Sequence, residues 1–270
     1  ADRLCGACIC LPKPSVGATE NVILAAVMAE GDTVIEGAAR EPEIVALCDY
    51  LCACGAWIRG AGTSCIRIRG GRTLYGTDFT VPADRIVAGT YLFACVAAGG
   101  NIFLEHAPGP DMGAVLEVAG RMGAKLCTSR DGIYVQAPSG PVSPGHVMTA
   151  PYPGFPTDLQ SAALVAASLG EGTTLMEETI FENRFRVVGE LCKMGASIEL
   201  LDPGRVLVRG VETLQGACVE ARELRGGAAL VAAGLAARGE TVVRGCPYIY
   251  RGYENICRDF RELGARIISA

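Results

Sequence analysis

Four stretches of this chain end alike: LCACGAWIRG, AGRMGAKLCT, LCKMGASIEL and RELGARIISA. Their Gly-Ala pairs start at Gly55, Gly123, Gly195 and Gly264, so the spacings are 68, 72 and 69 residues. A second shared element lies upstream of each, in MAEGDTVIEG, AAGGNIFLEH, GEGTTLMEET and AARGETVVRG. Anchored on Gly31, Gly100, Gly172 and Gly239, it recurs at intervals of 69, 72 and 67 residues. Two independent anchors with nearly one period define a repeat, and each repeat is one supersecondary unit that relies on its neighbours to cover its apolar face.

Each unit opens with an Ala-rich run: ENVILAAVMAEG, GTYLFACVAAGG, LQSAALVAASLG or GGAALVAAGLAARG. A helix that is apolar nearly all round must be buried on every side. These runs are too short to span a bilayer, so other protein elements must cover them. Glycine ends the helix, and a short β-rich strand such as DTVIEG or TTLMEE follows. A loop then leads to a second, amphipathic helix that stops at the Gly-Ala pair, and two short strands follow. With one more strand expected before each first helix, the unit is βαβαββ. Four copies predict an inside-out α/β barrel architecture, with helices at the centre and sheets facing solvent. The proline-containing connection in TVPADRIVAG predicts a domain break, giving 1–83 with one repeat and 84–270 with three.

Composition narrows the function. Half of the 270 residues are apolar and a fifth are charged, as in soluble globular proteins. A net charge of −5 gives no basic footprint, so no nucleic-acid partner is expected. No membrane partner is expected either, because no apolar run reaches bilayer length and no signal-like start is present. The expected location is cytoplasmic. Thirteen cysteines sit largely in apolar segments, as at Cys48, Cys95, Cys192 and Cys257. Of the clusters Cys5, Cys8, Cys10 and Cys48, Cys52, Cys54, only Cys5–Cys8 has the two-residue gap of structural zinc sites. Reduced, buried thiols are the favoured reading, with no metal and no cofactor.

The charged chemistry collects at helix entrances. Arg40, Arg184 and Arg251 stand at or just before the start of a second helix, and Arg225 heads an Ala-rich one. A cation there opposes the helix dipole by several tenths of a kcal/mol, roughly, unless an anion binds beside it. The competing reading pairs each arginine with a nearby carboxylate, such as Glu41, Glu182, Glu223 or Glu254. Four equivalent entrances favour an anionic ligand. Asp158 follows the stiff stretch PYPGFP. It reads either as a helix N-cap or as an acceptor aimed rigidly at a ligand hydroxyl. The turn KPSVGAT (13–19), with a cation at Lys13 and N–H groups near Ser15, is a further anion cradle. His106 and His146 have no partner in the pattern and read as incidental.

The segments KPSVGATEN, AAREPEI, DRIVAGTYL, PYPGFPTDLQ, EETIFENRF, ELRGGAALVAAGLAA and IYRGYE together resemble the UDP-N-acetylglucosamine enolpyruvyl transferase family, from about residue 11 to the C-terminus. The resemblance implies enolpyruvyl transferase domains of βαβαββ units. It also implies transfer of enolpyruvyl from phosphoenolpyruvate to the 3-hydroxyl of UDP-N-acetylglucosamine, with release of phosphate, early in peptidoglycan synthesis. Asp158 matches the family's acid at the sugar 3-hydroxyl. Lys13, Pro14, Ser15 and Val16 match a uridine-diphosphate-binding turn. Ile180 matches a nucleotide-sugar contact, with Arg184 in the same loop. Arg225 and Arg251 match arginines that engage phosphoenolpyruvate, beside Glu223 and Leu224. Glu223 stands where the family has aspartate, and Tyr250 where it has a polar residue. A reactive loop cysteine and a lysine–asparagine pair of the family have no counterpart here, roughly the family's N-terminal third being absent. The expectation is therefore a chain inactive in isolation, being either a truncated part of the transferase or one completed by a segment from another chain, with a non-catalytic remnant or nucleotide-sugar-binding module as the alternative.

Overall fold

A computed structural model describes residues 3–268. The first repeat runs β1 (Cys8–Cys10), α1 (Val16–Ala26), β2 (Asp32–Glu36), α2 (Pro42–Ala53), β3 (Trp57–Arg59) and β4 (Cys65–Arg69). The second contains α3 (Arg85–Ala98), β5 (Asn101–Glu105), α4 (Gly113–Arg121), β6 (Lys125–Thr128) and β7 (Gly132–Gln136). The third runs β8 (His146–Met148), α5 (Gln160–Ser168), β9 (Thr173–Glu177), α6 (Val188–Lys193), β10 (Ser197–Asp202) and β11 (Arg205–Arg209). In the fourth, β12 (Leu214–Gln215), β13 (Cys218–Glu220), α7 (Leu224–Ala236), β14 (Ala237–Arg238), β15 (Val242–Arg244) and α8 (Ile256–Glu262) follow.

The first and third repeats build the same sheet. In β1-β2-β4-β3 and in β8-β9-β11-β10 the first pair is parallel and the rest antiparallel. The parallel pair needs a crossover, and α1 or α5 supplies it. The second repeat departs from the expected unit. Its sheet has three strands, β5-β7-β6, and among the described residues no strand precedes α3. The missing strand leaves the outer edge of β5 open. The fourth repeat pairs β13 with β15 in parallel, and no described strand follows α8.

Chain contacts divide the molecule into two compact units, one up to Pro82 together with Pro151–Pro153, the other Ala83–Ala150 with the residues from Gly154 onward. In the second unit α3, α5 and α7 pack against one another. Every residue of α5 is buried, as are Ala228, Ala229, Ala232 and Ala233 of α7. Alanine at these positions lets the helix axes approach closely while still excluding water. The first unit corrects the expectation of burial all round. There α1 buries only Thr19, Ile23 and Ala26, and Leu24 and the following Met28 are exposed. Within that unit α1 packs mainly against α2, β2 and β4.

The cysteines also correct the reading. All thirteen are free, but only Cys48, Cys54 and Cys95 are buried, while seven are exposed. Strand alternation explains part of this: Cys8 and Cys10 flank the inward Ile9 of β1, and Cys218 flanks buried Val219 of β13. No described helix is long and apolar enough to cross a membrane.

Candidate functional site

From Phe155 onward the stretch PYPGFPTDLQ is held at several points, by α3 and by the third repeat. Phe155 is buried and meets Phe93 of α3 edge-on, with ring centroids 6.0 Å apart. Leu159 is fully buried against α3 at Gly89, where an added Cβ would come within 2.2 Å of Leu159 Cδ1. Glycine at 89 is thus what lets Leu159 seat. Thr149, at the base, binds the next loop twice: its Oγ1 accepts from Thr179 N at 2.9 Å, and its carbonyl accepts from Thr179 Oγ1 at 2.6 Å.

Asp158 emerges from this mount in a 3-10 turn over Thr157–Leu159. The N-cap reading is corrected: Pro156 precedes the turn, and no side chain caps the turn or α5. The Asp158 carboxylate instead lies between two arginines. Oδ1 accepts from Arg184 Nη2, while Oδ2 accepts from Arg225 Nε at 3.2 Å and Nη2 at 3.1 Å. These arginines come from 26 and 67 residues away in sequence. The competing reading, an adjacent glutamate as partner, does not hold for this pair, since Glu223 reaches Arg184 only at 3.9 Å. Both guanidiniums are largely buried, with side chains 20% and 16% exposed, and Asp158 is 35% exposed. A carboxylate offers about four acceptor positions, so the three bonds leave one open on Oδ1.

Each arginine is fixed by its own element. Glu223 caps α7, accepting from Arg225 N at 2.8 Å and from Gly226 N. The cap orients the first turn of α7 and so aims Arg225 at Asp158. Burial would pull the Arg225 guanidinium down, but the charge of Asp158 and the hydroxyl of Tyr253 outweigh it and hold it above the usual arginine value. Its buried Nη1 makes no hydrogen bond of ordinary geometry. Tyr253 is anchored to Thr90 of α3 at 2.7 Å, and Thr90 Oγ1 donates to Ile86 O at 2.9 Å. With its one proton spent there, Thr90 accepts from Tyr253, which leaves the phenol oxygen turned to Arg225 as an acceptor. Arg184 stacks over Phe181, 5.5 Å from the ring centre, and its Nε donates to Thr157 Oγ1 at 3.3 Å.

The other residues singled out in the sequence are placed as follows. Ile180 is exposed at the tip of the loop after β9, beside Phe181. Leu224 is half-buried, and Gly252 approaches it so closely that a Cβ would lie 2.8 Å from Leu224 Cδ2. Arg251 is therefore carried to the entrance of α7, exposed and, among the described residues, without an ion-pair partner. Arg40 lies in the first unit, with Nε donating to Gly62 O at 3.3 Å. In the same unit Ser15 caps α1, its Oγ accepting from Ala18 N at 3.3 Å. Lys13 and Pro14 are exposed before it, while Val16 packs on that unit's core. Neither histidine is isolated: His146 Nε2 lies 3.4 Å from Glu177, and His106 Nε2 lies 3.8 Å from Glu105.

Sequence reasoning missed Thr157, Tyr253 and Glu178. Strand alternation carried a signal for the last: Thr174 and Met176 of β9 face inward, so 178 continues the buried face. A cleft of about 670 Å³ lies beyond Tyr253, bounded by α3, β5 and α8. Asp84, Glu105, Glu254, Asp259 and Glu262 face it against one cation, Arg258. Such a lining disfavours anions.

Comparison with known proteins identifies the family. Residues 1–260 match the family model described as EPSP synthase (3-phosphoshikimate 1-carboxyvinyltransferase). The chain is 45% identical to UDP-N-acetylglucosamine 1-carboxyvinyltransferase of Desulfovibrio desulfuricans, covering 98% of this chain and 63% of that protein. It is equally identical to UDP-N-acetylglucosamine 1-carboxyvinyltransferase 2 of Caldanaerobacter subterraneus, at 45% over 98% of this chain and 64% of the relative. The chain thus spans less than two thirds of the length of these relatives. Among solved structures, the enolpyruvyl transferase NikO from Streptomyces tendae superposes with a TM-score of 0.87 at 26% identity, covering 98% of this chain and 65% of that one. EPSP synthase from Acinetobacter baumannii superposes with a TM-score of 0.74 over 99% of this chain and 64% of that one, agreeing at 20% identity in fold alone. With its βαβαββ repeats and central helices, the chain belongs to the EPSP synthase family of carboxyvinyl (enolpyruvyl) transferases.

Proposed function

We propose that the Asp158 cluster is part of a site that transfers enolpyruvyl from phosphoenolpyruvate to the 3-hydroxyl of UDP-N-acetylglucosamine. The observation that carries this reading is one carboxylate held between two largely buried arginines, with Arg251 exposed at the entrance of α7. Phosphoenolpyruvate presents a carboxylate and a phosphate, and planar guanidinium forks bind both in bidentate fashion. Arg225 and Arg251 are the partners assigned to it. As they engage the anion, Asp158 is released from Arg225 and its oxygens become available to the sugar hydroxyl. Asp158 takes the hydroxyl proton as the sugar oxygen adds to the enol carbon and the methylene carbon takes up a proton, and breaking of the carbon–oxygen bond to phosphate with loss of a methyl proton restores the double bond and releases phosphate. Ile180 and the Arg184 loop are assigned to the nucleotide sugar. The Lys13–Val16 turn, with Ser15 at a helix N-terminus, is assigned to its diphosphate.

A second reading is that these 270 residues bind the nucleotide sugar without turnover, favoured by their covering 63% of the relatives' length. Calorimetric titration with UDP-N-acetylglucosamine and a phosphate-release assay with both substrates separate the two. The expected result for the 270 residues alone is binding that Asp158→Asn weakens, with no phosphate release. Robust release would exclude the binding-only reading, and absence of any binding would overturn both.

A further inference from the structure

We infer that Glu178 is a positioning residue of the Asp158 site: one buried carboxylate that holds the two loops carrying Asp158, Ile180 and Arg184 in register. The inference rests on the proposed nucleotide-sugar reading for its functional consequence, and on geometry alone for the positioning itself.

The repeat supplies the first line of argument. The residue immediately after the first-helix strand is Gly37, His106, Glu178 and Gly245 in successive repeats. Three of these four turn with positive φ, at 74° for Gly37, 58° for His106 and 76° for Gly245. The third repeat alone does not turn there. Its left-handed residue is Asn183, at φ 56°, five residues later. The chain from 178 to 183 is therefore an excursion that the other repeats turn away from, and it carries Ile180 and Phe181 outward before Arg184. An excursion of that kind exposes backbone N–H groups that a tight turn would have used.

Glu178 supplies the partners. Its side chain is buried, and Oε1 accepts from Ile180 N at 2.8 Å and from Phe181 N at 3.1 Å. Oε2 accepts from Thr157 Oγ1 at 2.8 Å. The Thr157 oxygen in turn accepts from Arg184 Nε at 3.3 Å, and Thr157 immediately precedes Asp158. The donors all need an acceptor, and a carboxylate has acceptor positions on both oxygens. An amide at 178 would keep one accepting oxygen and turn its NH2 on Thr157, whose proton would lose its acceptor. Alanine would orphan both N–H groups and the hydroxyl. The acid thus links the end of β9, the exposed loop and the proline-stiffened mount in one hydrogen-bonded chain that ends at Arg184 and Asp158.

Glu178→Gln, Thr157→Val and, in the second repeat, His106→Gln test this in a 15N-labelled chain. The expected result for Glu178→Gln is an upfield shift of the Ile180 and Phe181 amide protons, with the rest of the spectrum preserved. Thr157→Val is expected to move the Arg184 Nε–H resonance and leave those two amides in place. His106→Gln is expected to disturb neither. Titration with UDP-N-acetylglucosamine should give a dissociation constant about ten-fold higher in both third-repeat variants, the size expected for losing one charge-assisted bond. Unmoved Ile180 and Phe181 amides in Glu178→Gln would overturn the positioning. So would shifted amides with unchanged affinity in a wild type that binds. If the wild type does not bind the nucleotide sugar, that reading fails while the amide shifts still decide for or against Glu178. If Glu178→Gln fails to fold, Thr157→Val decides through the Arg184 resonance.

Discussion

The second and third repeats share one element order from first helix to last strand, yet differ in what covers them. In β9 the burial runs exposed, buried, half-buried, buried, half-buried along Thr173–Glu177. In β5 the equivalent Asn101–Glu105 alternates exposed with half-buried and is never buried. The cause is β8, which lies parallel to β9 and has no described counterpart on β5. The same two repeats diverge at the strand exit, where His106 is exposed and Glu178 is buried under three donors. They diverge again on the second helix: Val118 of α4 and Glu190 of α6 occupy one place, five residues before Gly123 and Gly195, and both are buried. One scaffold thus places an uncharged or exposed side chain in one repeat where the other holds a buried carboxylate, at the strand exit and on the second helix.

The largest test of that contrast is in the strands. Met176→Ala in β9 is expected to cost about 3 kcal/mol and Leu104→Ala in β5 about 1 kcal/mol, because only the first opens a closed cavity. Urea denaturation of both variants measures it, and equal losses would break the link between the covering strand and burial.

At the site, Asp158→Ala is expected to destabilise the second unit by about 2 kcal/mol, less than for a fully buried pair because solvent reaches Asp158. His106→Gly, which installs the residue of the first and fourth repeats, should change stability by less than about 0.5 kcal/mol. Thermal unfolding distinguishes them. A loss in Asp158→Ala no larger than in His106→Gly would show the arginines find other partners.

The smallest expected effect concerns pH. Burial alone would raise the Glu190 carboxyl, but the Lys193 ammonium at 2.7 Å, the Glu220 N–H and Arg222 outweigh it and hold it below the ordinary value of 4.5. A depressed folded value means stabilisation that is complete above 4.5 and is lost as pH falls through the lower folded value. Glu190→Val, copying the second repeat, should flatten the acid limb of the stability curve. An unchanged acid limb in that variant would place the sensitivity elsewhere.

How much of this was legible in the sequence varies with the range of the interaction. The 68-to-72-residue spacing, the Ala-rich runs and the glycine stops specified the repeat and its helix–strand order, because each depends on local propensity and period. Asp158, Arg184 and Arg225 were visible as candidates, since a stiff mount and a cation at a helix entrance are local oddities. Their mutual pairing was not visible, because neighbouring glutamates satisfied the same charge argument at shorter range. Glu178 could have been found from its place on the inward face of β9, had buried alternation been followed one residue past the strand.

By itself, then, the sequence determined the unit, its count and the sites where charge enters helices. The tertiary structure decided which copies close around one another and which carboxylate meets which guanidinium. Helices as apolar as α1 and α5 differ in burial because only α5 has two other central helices beside it. Asp158 pairs with Arg184 and Arg225 because folding brings residues 26 and 67 positions apart within hydrogen-bond reach. Period and propensity act over a few residues, whereas burial and ion pairing depend on what the rest of the chain places alongside.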